Sequence, residues 1–346
     1  MAILSDNFDC RGFLEGETAA HGLAAAASMT LTPERLDELR RRLSVINFQP
    51  ELPQYLKDSE ELRRAPAKAF PWAGSILMAA VPFNSLPGLP LPLPRAKSPD
   101  TAGMIAGYAA GTDYHLHGKA IMEKLLCRLE QVAGRTFKSE ICIDTKPLLE
   151  RALAEAAELG RTGRNSCILC PGYGSGVFIV SAMLELNLPD VAAQCPDTPC
   201  NSCGQCAVQC PNQVIGVTPP EFKVKYCISS LTMGKRGLLT AEEMRLMGGS
   251  VFGCSVCTAA CPDSSLPEDF PLDLEWLLLA PSAEVRRAIE GTPMGYAGVT
   301  LLRRNAIIVL ANKKSEVSDR LIKTFIKKTS SQLLIDTVRG IILKNP

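Results

Sequence analysis

The sequence predicts a chain of mixed α+β and α/β class in three parts. These are an α/β region over 1–190, a cysteine-rich module over 191–270 and a helical region over 271–346. Three observations carry this division. Strand, turn and helix signals alternate up to about Pro189, cysteines crowd between Cys200 and Cys261, and helical periodicity takes over beyond them.

Each element has a local cause. Thr32, Pro33 and Glu34 open a helix over Pro33–Leu43, as an N-cap, a first helical position and an acidic first turn. Ser75–Phe83 is a short apolar run stopped by Pro82, which reads as a buried strand. Pro87, Pro90, Pro92, Pro94 and Pro99 then impose an extended surface loop. Met122, Leu125, Leu126 and Leu129 share one face of a helix over Tyr114–Val132. Glu140–Ile143 reads as a strand, and Pro147–Leu159 as a helix closed by Gly160. Val299–Asn312 and Glu316–Lys328 are the clearest helices of the tail, where a pair of helical repeats of the HEAT kind is expected.

Composition narrows the class. Apolar residues make up 46% and charged residues 21%, a globular balance rather than a disordered one. No apolar stretch approaches the roughly 18–20 residues of a membrane span, and the N-terminus carries Asp6, Asp9, Glu15 and Glu17 rather than a basic leader. Fourteen cysteines without an export signal imply a reducing, cytoplasmic setting in which thiols serve metal or redox chemistry. Net charge is only +1, yet from Ser282 onward 12 Lys and Arg face 5 Asp and Glu. Such a tail is either a footprint for nucleic acid or a solvated helical surface.

The cysteines are the most specific signal. Cys200-x2-Cys203-x2-Cys206-x3-Cys210-Pro211 has the spacing of a bacterial ferredoxin run, in which three thiolates wrap one [4Fe–4S] cluster and the fourth reaches the other. A second run, Cys254-x2-Cys257-x3-Cys261-Pro262, is one cysteine short, and Cys227 between the runs supplies the eighth ligand. The crossover then assigns Cys200, Cys203, Cys206 and Cys261 to one cluster, and Cys210, Cys227, Cys254 and Cys257 to the other. CxxC pairs also suit tetrahedral zinc, but two CxxxCP endings favour a ferredoxin-like double [4Fe–4S] module. Cys10, Cys127, Cys142, Cys167, Cys170 and Cys195 remain, and buried structural thiols are their expected fate.

The α/β half is too large for electron carriage alone. Asp144 lies between a strand end and a helix start, where α/β domains bind ligands. A turn or N-cap aspartate would stand in the same place. His115 and His117 read as structural histidines.

The order Gly111-Thr112-Asp113-Tyr114-His115, Ile143-Asp144-x2-Pro147-x-Leu149-Glu150-Arg151, Gly160-x2-Gly163 and Tyr173-Gly174-Ser175 resembles the epoxyqueuosine reductase family. So do Cys227-Ile228-Ser229-x-Leu231-Thr232, Gly253-Cys254-x2-Cys257 and the tail with Gly295-Tyr296 and Leu302-Arg303-Arg304-Asn305. The likeness spans roughly residues 50–345 and implies an N-terminal α/β cobalamin-binding domain. It further implies a cobalamin-dependent iron–sulfur oxidoreductase that reduces epoxyqueuosine to queuosine in the anticodon of tRNA. Asp144 matches the family's proton donor, and burial against the corrin would raise its pKa. Asp144, Arg64, Ile168 and Ser229 match corrin contacts, with Cys254–Cys257 close by. The implied partners are a tRNA anticodon stem-loop and an electron donor such as ferredoxin or flavodoxin, for a monomer without membrane contact. Basic residues of the tail, Arg303 and Arg304 among them, would meet phosphates. Departures fall at Gly107, Arg161–Arg164, Gly176-Val177 and Ser230–Gly234, in the pockets rather than at the cluster ligands. They leave two alternatives, a divergent reductase of a small molecule and an electron-transfer protein without its own substrate.

Overall fold

The computed structural model describes residues 8–44, 54–88, 93–193, 200, 203–216 and 222–342. The strands among them are β1 Ala25–Thr30, β2 Ser75–Pro82, β3 Ala102–Ile105, β4 Ser139–Cys142, β5 Arg161–Thr162, β6 Ile168–Leu169, β7 Val177–Leu184, β8 Ser250–Phe252 and β9 Phe270–Asp273.

The main sheet has the order β1-β2-β7-β4, and each neighbouring pair is antiparallel. All eight residues of β2 are buried because helices cover both faces. Leu77, Ala79 and Val81 meet Leu14 of the helix Cys10–His21 and Met122, Leu125 and Leu129 of the helix Tyr114–Ala133. Ile76, Met78 and Ala80 turn the other way, toward Leu39 and Leu153. An apolar run buried on both sides therefore does not imply a parallel sheet here. The alternation of strands and helices comes from long helical connections between antiparallel neighbours, which is the α+β side of the expected class.

The expected helix over Pro147–Leu159 is shorter, Glu150–Ala156. Glu158 closes it with φ +55°, as Leu159 donates its N–H to the carbonyl of Ala154. Gly160 is instead a point of close approach, since a Cβ there would lie 2.5 Å from the carbonyl oxygen of Leu169.

A second sheet has the order β8-β3-β9, with β3 parallel to β8 and antiparallel to β9. It joins residues from all three expected parts, so the packing crosses the boundaries drawn at 190 and 270. Ile105, Phe252 and Leu272 share one core with Leu302, Ile307 and Phe325 of the tail. The tail contains the helices Leu274–Leu279, Ser282–Ile289, Met294–Lys313, Glu316–Ile326 and Gln332–Ile342, the third kinked at Gly298.

Arg304 is not a surface cation, which corrects the expectation that it meets phosphates, while Arg303 is partly exposed with its guanidinium engaged by the chain. Arg304 is fully buried and donates to the carbonyls of Leu231, Lys235 and Gly237 and to Asn305. Arg303 donates to the carbonyls of Leu277 and Ala280 and lies over the ring of Phe325. Each guanidinium satisfies carbonyls that helix ends and turns would otherwise leave open. No helix among the described residues is long and apolar enough to cross a membrane.

Candidate active site and cluster module

Asp144 follows β4 by two residues, on a loop running to the helix that begins at Glu150. Its backbone is left-handed, φ +55°, a conformation that aspartate tolerates better than most residues. Its side chain is exposed, so the expected burial is not supplied by the polypeptide. The Tyr114 hydroxyl donates to Oδ2 at 2.8 Å, from the first turn of a helix capped by Asp113. Close approach of that helix to the sheet depends on Gly118, where a Cβ would meet Val180 at 2.8 Å and Phe178 at 3.1 Å.

Behind Asp144 lies a residue to which sequence reasoning gave no role. Glu150 is 7% exposed, and its carboxyl oxygens accept the Asp144 peptide N–H at 3.0 and 3.1 Å. Burial first, and then the charge of Asp144, push its carboxyl well above the ordinary range, against smaller opposing pulls from the Asp144 peptide N–H and then Arg63. Burial, reinforced by Asp144, likewise raises the Tyr114 phenol. His115 holds Asp113 through Nδ1 at 2.7 Å and stacks on Tyr114. His117 is half-buried, so both histidines take structural places.

A row of aromatic rings leads away from this corner. Tyr114, Phe178, Phe83 and Tyr108 follow one another at centroid separations of 5.4 Å. Tyr108 ends the row at the cysteines. Its hydroxyl lies 3.3 Å from that of Ser229 and also engages Cys254, and burial pushes the phenol up to about 12.

The cysteine runs form two electrostatic groups. Burial and then the thiol of Cys200 raise Cys206, with Cys261 and Cys203 adding to the effect. Burial raises Cys254 to about 11, with Cys227 and Cys210 among its further causes. Cys257, raised chiefly by burial, also feels Cys254 and Cys227. Among the described residues no three His, Cys, Asp or Glu converge on a single ion, whereas thiols ringing a four-iron cube stand further apart. A cavity of about 370 Å³ is lined by Cys254 together with Pro211 and Ile228, the neighbours of Cys210 and Cys227. Buried thiols that raise one another suit iron, whose positive charge removes their protons.

The other thiols meet the expectation of burial only in part. Cys10, Cys142 and Cys170 are buried, Cys127 is exposed, and Cys195 lies outside the described residues. Cys167 lies against the module, within hydrogen-bonding reach of Thr258.

The expected corrin contacts are unequal. Ser229 is partly exposed at the aromatic row, beside Tyr108. Arg64 is held by Glu60 at 2.7 Å and by the carbonyl of Leu43. Ile168 is 3% exposed in the core. At Gly107 a Cβ would lie 1.8 Å from the carbonyl oxygen of Pro267, so no side chain fits. The rings of Phe83, Tyr108 and Tyr114 are partly exposed and stand, with the Ser229 hydroxyl, between acid and thiols, successive rings of the row being tilted by 40–59°. They offer apolar ring faces of the kind a corrin needs, whereas Arg64 is paired and Ile168 enclosed.

Fold and cysteines together define an iron–sulfur oxidoreductase with an attached acid site. Residues 199–264 match the 4Fe-4S double cluster binding domain, and residues 63–145 match epoxyqueuosine reductase QueG, DUF1730. The epoxyqueuosine reductase of Escherichia coli K12 is 32% identical over 264 residues, covering 72% of this chain and 68% of the relative. That of Alicycliphilus denitrificans is 32% identical over 274 residues, covering 72% and 73%. The match to the Xanthomonas campestris enzyme, 33% identical, spans 61% of that protein. The chain belongs to the epoxyqueuosine reductase family.

The fold agrees with solved structures. Epoxyqueuosine reductase with an epoxyqueuosine-modified tRNA-Tyr stem loop superposes with TM-score 0.74 at 23% identity, covering 94% of this chain and 87% of that one. The Streptococcus thermophilus enzyme gives 0.75 at 21% identity, covering 95% and 88%.

Proposed function

We propose that this protein reduces epoxyqueuosine to queuosine in tRNA, with Asp144 as the proton donor. The observation that carries this reading is the aromatic row joining Asp144 and Tyr114 to Tyr108, Cys227 and Cys254. A carboxyl at one end of a row of rings and the cysteines of a double-cluster module at the other support this reading. Loss of the epoxide oxygen as water takes two electrons and two protons. Asp144 is exposed, as a donor must be to reach a nucleoside on a macromolecule, and Tyr114 fixes its carboxyl by occupying Oδ2. Cys200, Cys203, Cys206 and Cys261 would hold one cluster, and Cys210, Cys227, Cys254 and Cys257 the other.

Cobalamin, when bound, supplies a strongly reducing metal centre. Ser229 and the faces of Phe83, Tyr108 and Tyr114 would hold it, without a side chain at Gly107. The test is anaerobic turnover of an epoxyqueuosine-containing stem-loop, with cobalamin and a low-potential reductant, followed by mass spectrometry for loss of one oxygen atom. No loss of oxygen under these conditions overturns the assignment.

A further inference from the structure

Glu150 is a buried titratable group of the acid corner that the reading above does not use. It sits on the first turn of its helix, buried, six residues beyond Asp144. Two contacts tie the pair. The Asp144 peptide N–H is shared between the two Glu150 oxygens, at 3.0 and 3.1 Å.

We propose that Glu150 is the positioning residue for Asp144, clasping its left-handed backbone by the peptide N–H. This rests on the reading of Asp144 as proton donor.

The clasp has a physical task. A left-handed non-glycine residue carries a conformational cost and persists only where the surroundings hold it. A buried acceptor aimed at that residue's own N–H offsets much of this, and an exposed loop next to a nucleic-acid substrate offers few other restraints.

The groups facing the pair are few. Arg63 lies nearby, its guanidinium donating to the carbonyl of Leu148 at 3.0 Å, and its charge partly opposes proton retention. The Cys142 thiol at the end of β4 is pushed up by burial and by Glu150, so it stays neutral. Tyr114 stays a hydrogen-bond donor. Lys146 pairs with Glu140, away from the two carboxyls.

The experiment uses the full chain with both clusters in place, and two variants. Glu150→Ala removes the acceptor, and hydrogen exchange of the Asp144 amide should accelerate at least tenfold while iron content is unchanged. Glu150→Gln retains an acceptor oxygen, and exchange should stay within about threefold of the parent. Turnover should fall at least tenfold in Glu150→Ala and return to within about threefold of the parent in Glu150→Gln, because the clasp needs an acceptor rather than a charge. Unchanged amide exchange in Glu150→Ala overturns the clasp, and so does turnover in Glu150→Gln as low as in Glu150→Ala. If Asp144→Asn retains full turnover, the donor reading fails, while amide exchange still decides the clasp.

Discussion

The two ends of the aromatic row meet the same electrostatic problem and resolve it differently. At Asp144 and Glu150 two acids lie together, and burial with like charge raises Glu150. Around Cys254 and Cys257 burial and neighbouring thiols raise the sulfur groups. Glu150 is accommodated by retaining a proton that the solvent supplies. The thiols are completed only by iron, which replaces their protons. The acid corner is therefore finished by folding alone, and the cysteine corner by folding and metal together.

The largest effect should come from breaking the cysteine end. Cys227→Ala should lower iron from about eight to about four per chain and abolish turnover, the second set of ligands then being short by one. Retention of about eight iron would break the crossover assignment. Asp144→Asn should leave iron content alone and lower turnover roughly 10²–10⁴-fold, the usual worth of a general acid. If it also lowers iron content, the two ends are not independent.

Arg304→Ala sharpens the comparison by disturbing neither end. It strands the carbonyls of Leu231, Lys235 and Gly237 in the interior, and chemical denaturation should show a loss of about 3 kcal/mol or more. Affinity for a stem-loop should change little at a temperature where the variant is folded.

The pH dependence of stability isolates Glu150. Its folded-state pKa is raised from 4.5 to about 8, so between those values the native chain holds a proton that the unfolded chain has released. Stability from this group falls as pH rises through that window. Glu150→Gln should therefore gain thermal stability over the parent at pH 8 and show little difference at pH 4. The smallest effect is expected of Tyr114→Phe, which loses one hydrogen bond to Asp144. Turnover should fall about fivefold, the equivalent of about 1 kcal/mol.

The cysteine module was legible because its chemistry is written in local spacing. Each run places its ligands within about ten residues, and Cys227 followed from the shortage of one. The strand Ser75–Pro82 and the helix Tyr114–Ala133 were legible for a related reason, their apolar period being local too. Asp144 could be singled out from its place at a strand end and from family likeness. Glu150 could not, because its burial is set by a tertiary fold and its partner by a loop with positive φ. Arg303 and Arg304 misled in the opposite sense. A run of charge in a basic tail reads as surface, yet turns at Leu231–Gly237, some seventy residues away, needed donors and drew one guanidinium inside. Antiparallel pairing within an alternating pattern was equally hidden, since strand direction depends on where the connections return.

The sheet β8-β3-β9 has a consequence for how the chain is made. Ala102–Ile105 leaves the ribosome well before either neighbour, and Phe270–Asp273 follows only after some 165 further residues. At roughly 5–20 residues per second, that strand waits on the order of ten seconds with both edges unpaired. The main sheet can close during this interval, because β7 ends at Leu184. The early chain thus assembles its acid corner first and holds an open strand beside it until the cysteine module arrives. Iron delivered before β9 has been synthesised would meet thiols whose supporting core does not yet exist.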